Sequence, residues 1–446
     1  MRKVITYGVF DMLHEGHLRL LQRARALGDY LIVGVTTNRF DELRGKLMTA
    51  QSLEQRIQAV RETGLADEVI VENHPGQKLE DILGYKADVL VAGSDWTGKF
   101  DYLKPYCEVV YLDRTPNISS SQIRQQLFPP IRIGIIGSGR IAHRFVREAL
   151  EVESVRATGV MNPRPASAEA FRASHGLSFA TTSLDELFEK VDAVYIASPH
   201  ETHVPYARAA LQAGRHVLCE KPLAFSRAEA EELFSLARER NLVLLEAVKT
   251  AYCPGFDQVV EAVCAGVIGE VRDVEGRFTK LADPRSRELD PNRPSGSFLE
   301  LGSYVMLPML RFLGCSWKSV SFETIDDDNG VDVYAKLHIS YDKSLASGVC
   351  GLGVKSEGEL VIGGTKGCIV VAAPWWKTGH FEVKGKMGET VATYEPTFLG
   401  YGLRYEISNF AHLINGHPGR KPRLSAEESC AMAELFERFL AERSRA

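Results

Sequence analysis

The 446-residue sequence lacks several features that would assign it to whole classes of protein. Its eight cysteines form no CxxC pair, which argues against a zinc site or a disulfide framework. No apolar run reaches about 18 residues, so no membrane span is expected. The formal net charge is only −5, and it favours neither nucleic acid nor a membrane surface as a partner. The opening MRKVITYGVFDMLH lacks the apolar region of a signal peptide, so we expect a soluble cytoplasmic protein.

What is present indicates several domains. At roughly 100–200 residues per domain, the length predicts two or three of them. A short β-rich run leads into a loop and then a helical pattern twice, first at KVITYGVF and again at IRIGIIGSGRIA from Ile131. Pro129 and Pro130 precede the second run, and two prolines favour a stiff, extended connection. We therefore expect domains at 1–128, 129–250 and 251–446.

The first domain alternates predicted strands with predicted helices, the latter at 17–27 and 52–63. The predicted strands are Val4–Val9, Leu31–Val35, Glu68–Val71, Val89–Ala92 and Glu108–Leu112. This rhythm is typical of a parallel sheet with helices on both faces. Ligands bind such sheets at the carboxyl ends of the strands.

The stretch GVFDMLHEGHLRLL, residues 8–21, places two histidines at the first strand-to-helix turn. We expect the helix to begin near His17 and to bury Leu18, Leu21 and Leu27. The free N–H groups of such a helix start form an anion site. His14 and His17 could donate hydrogen bonds to phosphate oxygens. A metal site completed by Asp11, or a packing role, are the alternatives.

Two later stretches extend this motif. WTGKFD begins at Trp96, and RTPNISSSQIR begins at Arg114. HxGH, WxGKFD and RTxxIS in this order resemble the glycerol-3-phosphate cytidylyltransferases among the HxGH nucleotidyltransferases, over nearly all of residues 1–127. The resemblance implies transfer of CMP from CTP, taken up with Mg²⁺, to a polyol phosphate.

The same resemblance implies roles for individual residues. Those implied in catalysis are His14, His17, Lys46, Arg114 and Ser119. Those implied in nucleotide binding are Gly8, Val9, Phe10, Asp11, Gly16, Asp95, Trp96, Lys99, Thr115, Ile118 and Ser120. Asp101 is assigned to the acceptor substrate. Two positions depart from the family pattern: Asn117 stands where the family has a glycine, and Gly64 stands where it often has an arginine. Arg56 or Arg61 could take over from that arginine.

The second β-run, IRIGIIGSGRIA, carries G-x-G-x-x-A at the start of a predicted helix. In this pattern Gly137 permits the tight turn, Gly139 lets a pyrophosphate approach, and Ala142 lets the helix pack closely. No Asp or Glu follows the next predicted strand, where Asn162 and Arg164 stand instead. An arginine can hold a 2′-phosphate, so the sequence leans toward NADP over NAD, with an exposed loop arginine as the alternative.

Further along, HVLCEKPLAFSRAEAEEL and NLVLLEAVKTAYCPGF resemble the glucose-fructose oxidoreductase, inositol dehydrogenase and MocA (Gfo/Idh/MocA) family from residue 131 to about 442. The resemblance places Lys221 near the nicotinamide and the reacting carbon. An ammonium there can polarise a carbonyl or pass a proton. The residues implied in cofactor binding are Gly137, Ser138, Gly139, Arg140, Ile141, Asn162, Arg164, Ser198, Pro199, His203, Glu220, Lys221 and Pro222.

A second catalytic segment of that family, D-x-G-x-H/Y, reads ELGSY here. Tyr304 is therefore assigned to catalysis, and Glu300, in the aspartate position, to the substrate. Just upstream lie Arg285, Arg287 and Arg293. They could bind a substrate phosphate, and Arg293 is assigned to the substrate, although a solvated charged loop is the alternative.

Together these features predict an α/β chain. An HxGH nucleotidyltransferase Rossmann-like domain is fused to an NAD(P)-binding Rossmann domain and a C-terminal α+β open-sheet domain. The expected function is bifunctional, with cytidylyl transfer to a polyol phosphate and NAD(P)-dependent oxidoreduction of a sugar or sugar phosphate. Both families suggest a homo-oligomer, a dimer or a tetramer. The alternatives are an oxidoreductase with a non-catalytic CTP-binding domain and a cytidylyltransferase with a degenerate second half.

Overall fold

The computed structural model describes residues 1–43, 49, 51–74, 76–113, 129–416 and 421–444. The chain divides into two compact units, Met1–Pro130 and Ile131–Ala446. In the described residues, no helix has both the length and the apolar character needed to cross a bilayer.

The first unit is built on a parallel five-stranded sheet in the order β3-β2-β1-β4-β5. Its strands are β1 Lys3–Gly8, β2 Tyr30–Thr36, β3 Glu68–Glu72, β4 Val89–Gly93 and β5 Glu108–Leu112. Its described helices of more than one turn are α1 Glu15–Arg25, α2 Asn38–Leu43, α3 Leu53–Glu62 and α4 Gln77–Tyr85.

Both faces of this sheet are buried. Val4 belongs to one apolar cluster and its neighbour Ile5 to another, because successive side chains point to opposite faces. One predicted detail is wrong: α1 begins at Glu15 rather than near His17, because His14 itself caps the helix. Of its leucines only Leu21 is fully buried, while Leu18 and Leu27 remain partly exposed.

The second unit begins with a parallel six-stranded sheet in the order β11-β10-β9-β6-β7-β8. Its strands are β6 Ile131–Ile136, β7 Val155–Met161, β8 Phe179–Thr181, β9 Ala193–Ile196, β10 His216–Glu220 and β11 Leu244–Ala247. Its helices are α5 Arg140–Ala149, α6 Pro165–His175, α7 Leu184–Lys190, α8 His203–Gln212 and α9 Arg227–Glu239. This is the predicted Rossmann arrangement.

An eight-stranded sheet follows in the order β13-β14-β15-β12-β16-β17-β18-β19. Its strands are β12 Val271–Thr279, β13 Ser319–Asp326, β14 Asp332–Ser340, β15 Leu345–Gly351, β16 Leu360–Gly364, β17 Cys368–Val371, β18 Phe381–Lys384 and β19 Thr390–Tyr394. The accompanying helices are α10 Pro254–Cys264, α11 Ser297–Leu313, α12 Leu403–Ile414 and α13 Ala426–Arg443. The predicted mixed α/β fold class is confirmed.

Helix α11 carries two predicted site residues, Glu300 and Tyr304, and it packs closely on this sheet. A side chain at Gly348 of β15 would place its Cβ 2.6 Å from Cε of Met309 and 3.0 Å from Cγ2 of Val305, so both side chains would have to shift. From the other side, Phe436 of α13 packs against Phe298 with ring centroids 5.4 Å apart. The helix is therefore a rigid platform for those side chains.

Candidate functional site

In the first unit, the loops after β1 and β4 lie at one edge of the sheet. The two strands are hydrogen-bonded neighbours, with Thr6 opposite Val91, although they are far apart in the chain. The strand order reverses between them, which is where ligands of such sheets bind. The histidine motif and the WTGKFD segment therefore share this edge.

His14 is the N-cap of α1, and its ring orientation is fixed by the helix itself. The N–H of Gly16 donates to Nδ1 of His14 at 3.1 Å. Because Nδ1 accepts, the proton of the neutral ring lies on Nε2. The ring of His17 stacks on that of His14 with centroids 3.9 Å apart. The pair thus forms one imidazole surface at the positive end of a helix.

The backbone before this pair is strained. Phe10 and Met12 both adopt left-handed conformations, with φ of 51° and 49°, which side chains other than glycine rarely take. Phe10 is fully buried and packs edge-on against His17, with centroids 5.4 Å apart. A Cβ at Gly8 would lie only 3.0 Å from the Phe10 ring. Local strain of this kind concentrates at functional sites.

Gln51 holds the same loop and was not predicted from the sequence. Its side-chain carbonyl accepts from the N–H of Met12 at 2.7 Å, and its own N–H donates to Asp11 at 3.0 Å. An open cleft of about 590 Å³ lies beside this contact and is lined in part by His14, Gln51 and Thr63. Because no local pattern marks Gln51, only the tertiary structure reveals its role.

Arg56 is not available to replace the family arginine for which Gly64 stands, which corrects the expectation for Arg56. Arg56 is fully buried and donates to the carbonyls of Val9 and Thr36 at 2.7 and 2.8 Å, and also to Asn38. These bonds tie together the ends of β1 and β2. Arg61, by contrast, is exposed on α3.

The segment after β4 presents an aromatic and basic surface. Trp96 stacks on Phe100 at 5.5 Å, and the ammonium of Lys99 lies 5.2 Å from the Trp96 ring. Asp101 accepts from the Tyr111 hydroxyl at 2.9 Å and pairs with Lys104 at 2.8 Å. These hydrogen bonds lower the pKa of Asp101. Asp101, assigned to the acceptor substrate, therefore also anchors its own loop.

Several predicted residues fall outside the described part of the chain: Lys46, Arg114, Thr115, Ile118, Ser119 and Ser120. Within the residues the structure does describe, no three His, Cys, Asp or Glu side chains are grouped so that they could hold a metal ion.

In the second unit, the glycine loop fits a dinucleotide pyrophosphate. Gly137 has φ of 99°, and a Cβ there would lie 2.6 Å from the carbonyl oxygen of Ala197 on the neighbouring strand. Gly139 caps α5 without a side-chain hydrogen bond, and a Cβ there would meet no atom within 4 Å. The start of α5, with Ser138, Arg140 and Ile141, is thus open to an anion.

Asn162, at the end of β7, joins this loop to the next. Its amide donates to Oγ of Ser138 at 2.8 Å, and its carbonyl accepts from the N–H of Arg164 at 2.9 Å. The Arg164 side chain is exposed at the start of α6. Asn162 therefore shapes the loop, whereas Arg164 can reach a ligand.

His203 links the loops after β9 and β10. Its Nδ1 lies 2.7 Å from the carbonyl oxygen of Pro222, and its Nε2 lies 3.0 Å from that of Ser198. Burial lowers the pKa of His203, and the hydrogen bonds to the two carbonyls act in the opposite direction. Pro199 lies in the first of these loops. Because both ring nitrogens face main-chain carbonyls, His203 holds together the two loops that follow β9 and β10.

Lys221 follows β10 and lies against Glu300 of α11. Its ammonium donates to the main-chain carbonyl of Glu300 at 2.7 Å and lies 3.6 Å from the carboxylate. Nε2 of His200 lies 3.8 Å from the same carboxylate. Burial, followed by the charge of Lys221, lowers the pKa of His200 far below its usual range. His200 is therefore a neutral partner beside a lysine and a glutamate.

Tyr304 lies one turn beyond Glu300 on α11, and its ring packs on Phe278 at 5.0 Å. Burial, followed by the charges of Glu220 and Glu406, raises the pKa of Tyr304. Glu220 accepts from the Tyr195 hydroxyl at 2.5 Å. Lys221 and Glu300 thus meet beside the carboxyl end of β10, with Tyr304 one turn further along α11.

The two units thus define the class: an α/β chain with a stacked histidine pair at a helix N-terminus in the first unit. The second unit has a dinucleotide-type glycine loop, and a lysine at the end of β10. The Cytidylyltransferase-like family profile matches residues 5–126. The profile of the oxidoreductase family with an NAD-binding Rossmann fold matches residues 131–248. The profile of the GFO/IDH/MocA C-terminal domain matches residues 256–370. The chain therefore belongs to the cytidylyltransferase-like family through its first unit and to the Gfo/Idh/MocA family of NAD(P)-dependent oxidoreductases through its second.

Individual relatives agree with this. Glycerol-3-phosphate cytidylyltransferase of Bacillus spizizenii is 49% identical over 127 residues, which are 28% of this chain and 98% of that protein. The scyllo-inositol 2-dehydrogenase (NADP(+)) of Bacillus subtilis is 30% identical over 69% of this chain and 95% of its own. A 3-ketoreductase from Actinomadura kijaniata, solved with NADP and TDP-benzene, superposes with a TM-score of 0.60 at 25% identity, covering 69% of this chain and 96% of that one.

Proposed function

We propose that the chain is a bifunctional enzyme that makes a CDP-polyol. Residues 1–128 transfer CMP from CTP to a polyol phosphate such as glycerol phosphate. Residues 129–250 bind NADP or NAD, and residues 251–446 bind a sugar or sugar phosphate and form the oligomer. The observation that carries the proposal is the presence, in one chain, of a stacked histidine pair at a helix N-terminus and a lysine held against Glu300.

The histidine pair supports the first reaction. An oxygen of the polyol phosphate attacks the α-phosphorus of CTP, and the bond to the β-phosphate breaks to release pyrophosphate. The Nε2 proton of His14, fixed by the Gly16 contact, is a donor to charge that develops on the phosphate oxygens. Mg²⁺ would accompany CTP and offset the charge of its triphosphate. The relative at 49% identity is named for this reaction with glycerol 3-phosphate.

The lysine site supports the second reaction. When bound, the nicotinamide supplies or accepts the hydride. Lys221 and Tyr304 would donate a proton to a substrate carbonyl oxygen, or accept one from a hydroxyl in the reverse direction. The exposed Arg164 favours NADP. The names of an inositol dehydrogenase relative and of the structural neighbour both include NADP.

The fusion suggests an order. The second unit would reduce a sugar or ketose phosphate, and the first unit would activate the resulting alditol phosphate as its CDP derivative. Such a donor would serve the synthesis of a surface glycan, for example a capsule or a teichoic-acid-like polymer.

The test is a coupled assay. Purified chain is incubated with CTP, Mg²⁺, NADPH and a panel of sugar phosphates, and CDP-alditols are identified by mass spectrometry. We expect a CDP-alditol that depends on both CTP and NADPH. Formation of a CDP-polyol only from added alditol phosphate, and never from a sugar phosphate, would refute the coupled order.

A further inference from the structure

Two arginines before α11 pair with carboxylates only at long distance. Nη2 of Arg287 lies 3.6 Å from the carboxylate of Glu300, and Nε of Arg293 lies 3.4 Å from that of Asp290. Throughout the described ranges, neither guanidinium donates a hydrogen bond to protein. Each carries five N–H donors in a planar fork that matches a phosphate. Both side chains are partly exposed, at 47% and 35%, so a ligand can reach them.

The position of these arginines assigns them to the reacting end of the site. Arg287 lies against the same Glu300 carboxylate that Lys221 and His200 approach, and Arg293 lies six residues further along the same segment, beside Asp290. The end of β7, where Arg164 lies, is separated from β10 in the sheet by β6 and β9. An anion held by Arg287 and Arg293 would therefore be part of the molecule that meets Lys221.

The charges around these arginines favour an anionic ligand. Lys280 and Arg140 both pair with Glu288, at 2.6 and 2.9 Å, and they hold this segment in place. Lys221 and Arg287 both lie 3.6 Å from the carboxylate of Glu300. Two cations therefore share one carboxylate here, which leaves positive charge available to a phosphate.

We propose that Arg287 and Arg293 form a phosphate subsite, and that the oxidoreductase substrate is a phosphorylated sugar or ketone. This rests on the proposed oxidoreductase function. The hydride passes from NADPH to the carbonyl carbon, a proton adds to the carbonyl oxygen, and NADP⁺ leaves. The phosphate ester is untouched, so the product is an alditol phosphate, the class of acceptor that the first unit requires.

Arg285 supplies a matched control on the same segment. Its side chain is 90% exposed, and its guanidinium lies 3.4 Å from Asp283 instead of facing Glu300. Arg285→Gln removes the same charge from the same loop. An effect confined to the other two arginines would therefore reflect position and not general electrostatics.

The experiment compares matched probes by NADPH oxidation: ribulose 5-phosphate against ribulose, and dihydroxyacetone phosphate against dihydroxyacetone. We expect at least one phosphorylated probe to exceed its neutral partner in kcat/KM by about 100-fold, because charge-assisted bidentate bonds are strong. Arg287→Gln and Arg293→Gln should each lower kcat/KM for that probe by about 10-fold or more, with little change for the neutral partner. Arg285→Gln and the Kd of NADPH should be unchanged.

Different outcomes would contradict the phosphate subsite and the oxidoreductase function separately. Preference for a neutral probe refutes the subsite alone, and so does a loss of NADPH affinity in Arg287→Gln, which would assign the cations to the cofactor. If CDP inhibits far more strongly than inorganic phosphate, the substrate is linked to a nucleotide and is not a phosphate monoester. If no probe of either kind oxidises NADPH, the oxidoreductase function itself fails. Calorimetric titration of phosphate into the NADPH- and CTP-loaded chain and its variants then still decides whether the subsite exists.

Discussion

At the scale of single residues, the first site depends on how its histidine rings are held. The N–H of Gly16 fixes the ring of His14. The ring of His17 stacks on that of His14 and packs edge-on against Phe10. In the proposed reaction, the Nε2 proton of His14 would therefore be held in place before charge develops on the phosphate. Such preorganised donors account for much of the rate enhancement in many enzymes.

His17→Ala tests this arrangement. We expect the rate of CMP transfer to fall by about 10² to 10³, the usual effect of removing one transition-state donor. Pyrophosphate release from CTP in the presence of glycerol phosphate is the measurement. NADPH oxidation by the second unit should be unchanged and serves as the control for folding. Unchanged pyrophosphate release would rule out the assigned role of His17.

Asp332 gives a prediction of pH dependence. It is 2% exposed, it accepts from the N–H of Phe298 at the start of α11, and burial raises its pKa to about 7. Because the folded state holds this proton more tightly than the unfolded state, stability falls as pH rises from about 4 to 7. At 1.36 kcal/mol per pKa unit, the penalty at neutral pH is roughly 4 kcal/mol.

Asp332→Asn keeps an acceptor for Phe298 and removes the titration. The unfolding temperature of the variant should therefore depend less on pH between pH 5 and 8 than that of the wild type. Its increase over the wild-type unfolding temperature should be largest near pH 8. Asp342→Asn, at a side chain that is 81% exposed, is the control and should follow the wild type. Parallel pH curves for Asp332→Asn and wild type would contradict the argument.

At the scale of elements, the sequence predicted the strands of the first unit well. Each of the five lies within one residue of its predicted ends, because strands buried on both faces read as nearly continuous apolar runs. The start of α1 was misplaced because histidine is not among the residues that usually cap helices. The loops after β1 and β4 meet because these parallel strands are neighbours and bring their carboxyl ends to one edge.

Contacts between distant residues could not be predicted in the same way. Gln51 holds the histidine loop, and Arg56 ties two strands together, but neither lies in a periodic or motif context. Similarly, Arg285, Arg287 and Arg293 look equivalent in sequence. Only the folded segment turns two of them toward Glu300 and Asp290 and leaves the third in solvent.

The turn between β6 and α5 contains two glycines with different expected roles, Gly137 in the fold and Gly139 in cofactor binding. Gly137→Ala combines a positive φ with a Cβ 2.6 Å from a main-chain oxygen, so we expect lost stability as well as lost cofactor binding. Gly139→Ala meets no protein atom and should leave stability nearly unchanged while it weakens NADPH binding. Thermal unfolding and NADPH fluorescence titration measure the two effects. Equal destabilisation by both variants would show that Gly139 has a structural role.

At the scale of the whole molecule, the cores of the two units are separate. The apolar clusters around Val4 and Ile5 draw only on residues of the first unit, and the cluster around Ile196 draws only on residues of the second. The chain divides between Pro130 and Ile131. Each unit thus has what a domain needs to fold alone.

We therefore expect fragments 1–130 and 131–446, expressed separately, to fold and to keep their own reactions. Circular dichroism and thermal unfolding test folding, pyrophosphate release tests the first fragment, and NADPH oxidation tests the second. Because an alditol phosphate is a stable molecule that can diffuse between enzymes, an equimolar mixture should still convert the sugar phosphate to CDP-alditol. If the mixture fails while both fragments remain active, the intermediate must pass within the intact chain, and the fusion is then part of the mechanism.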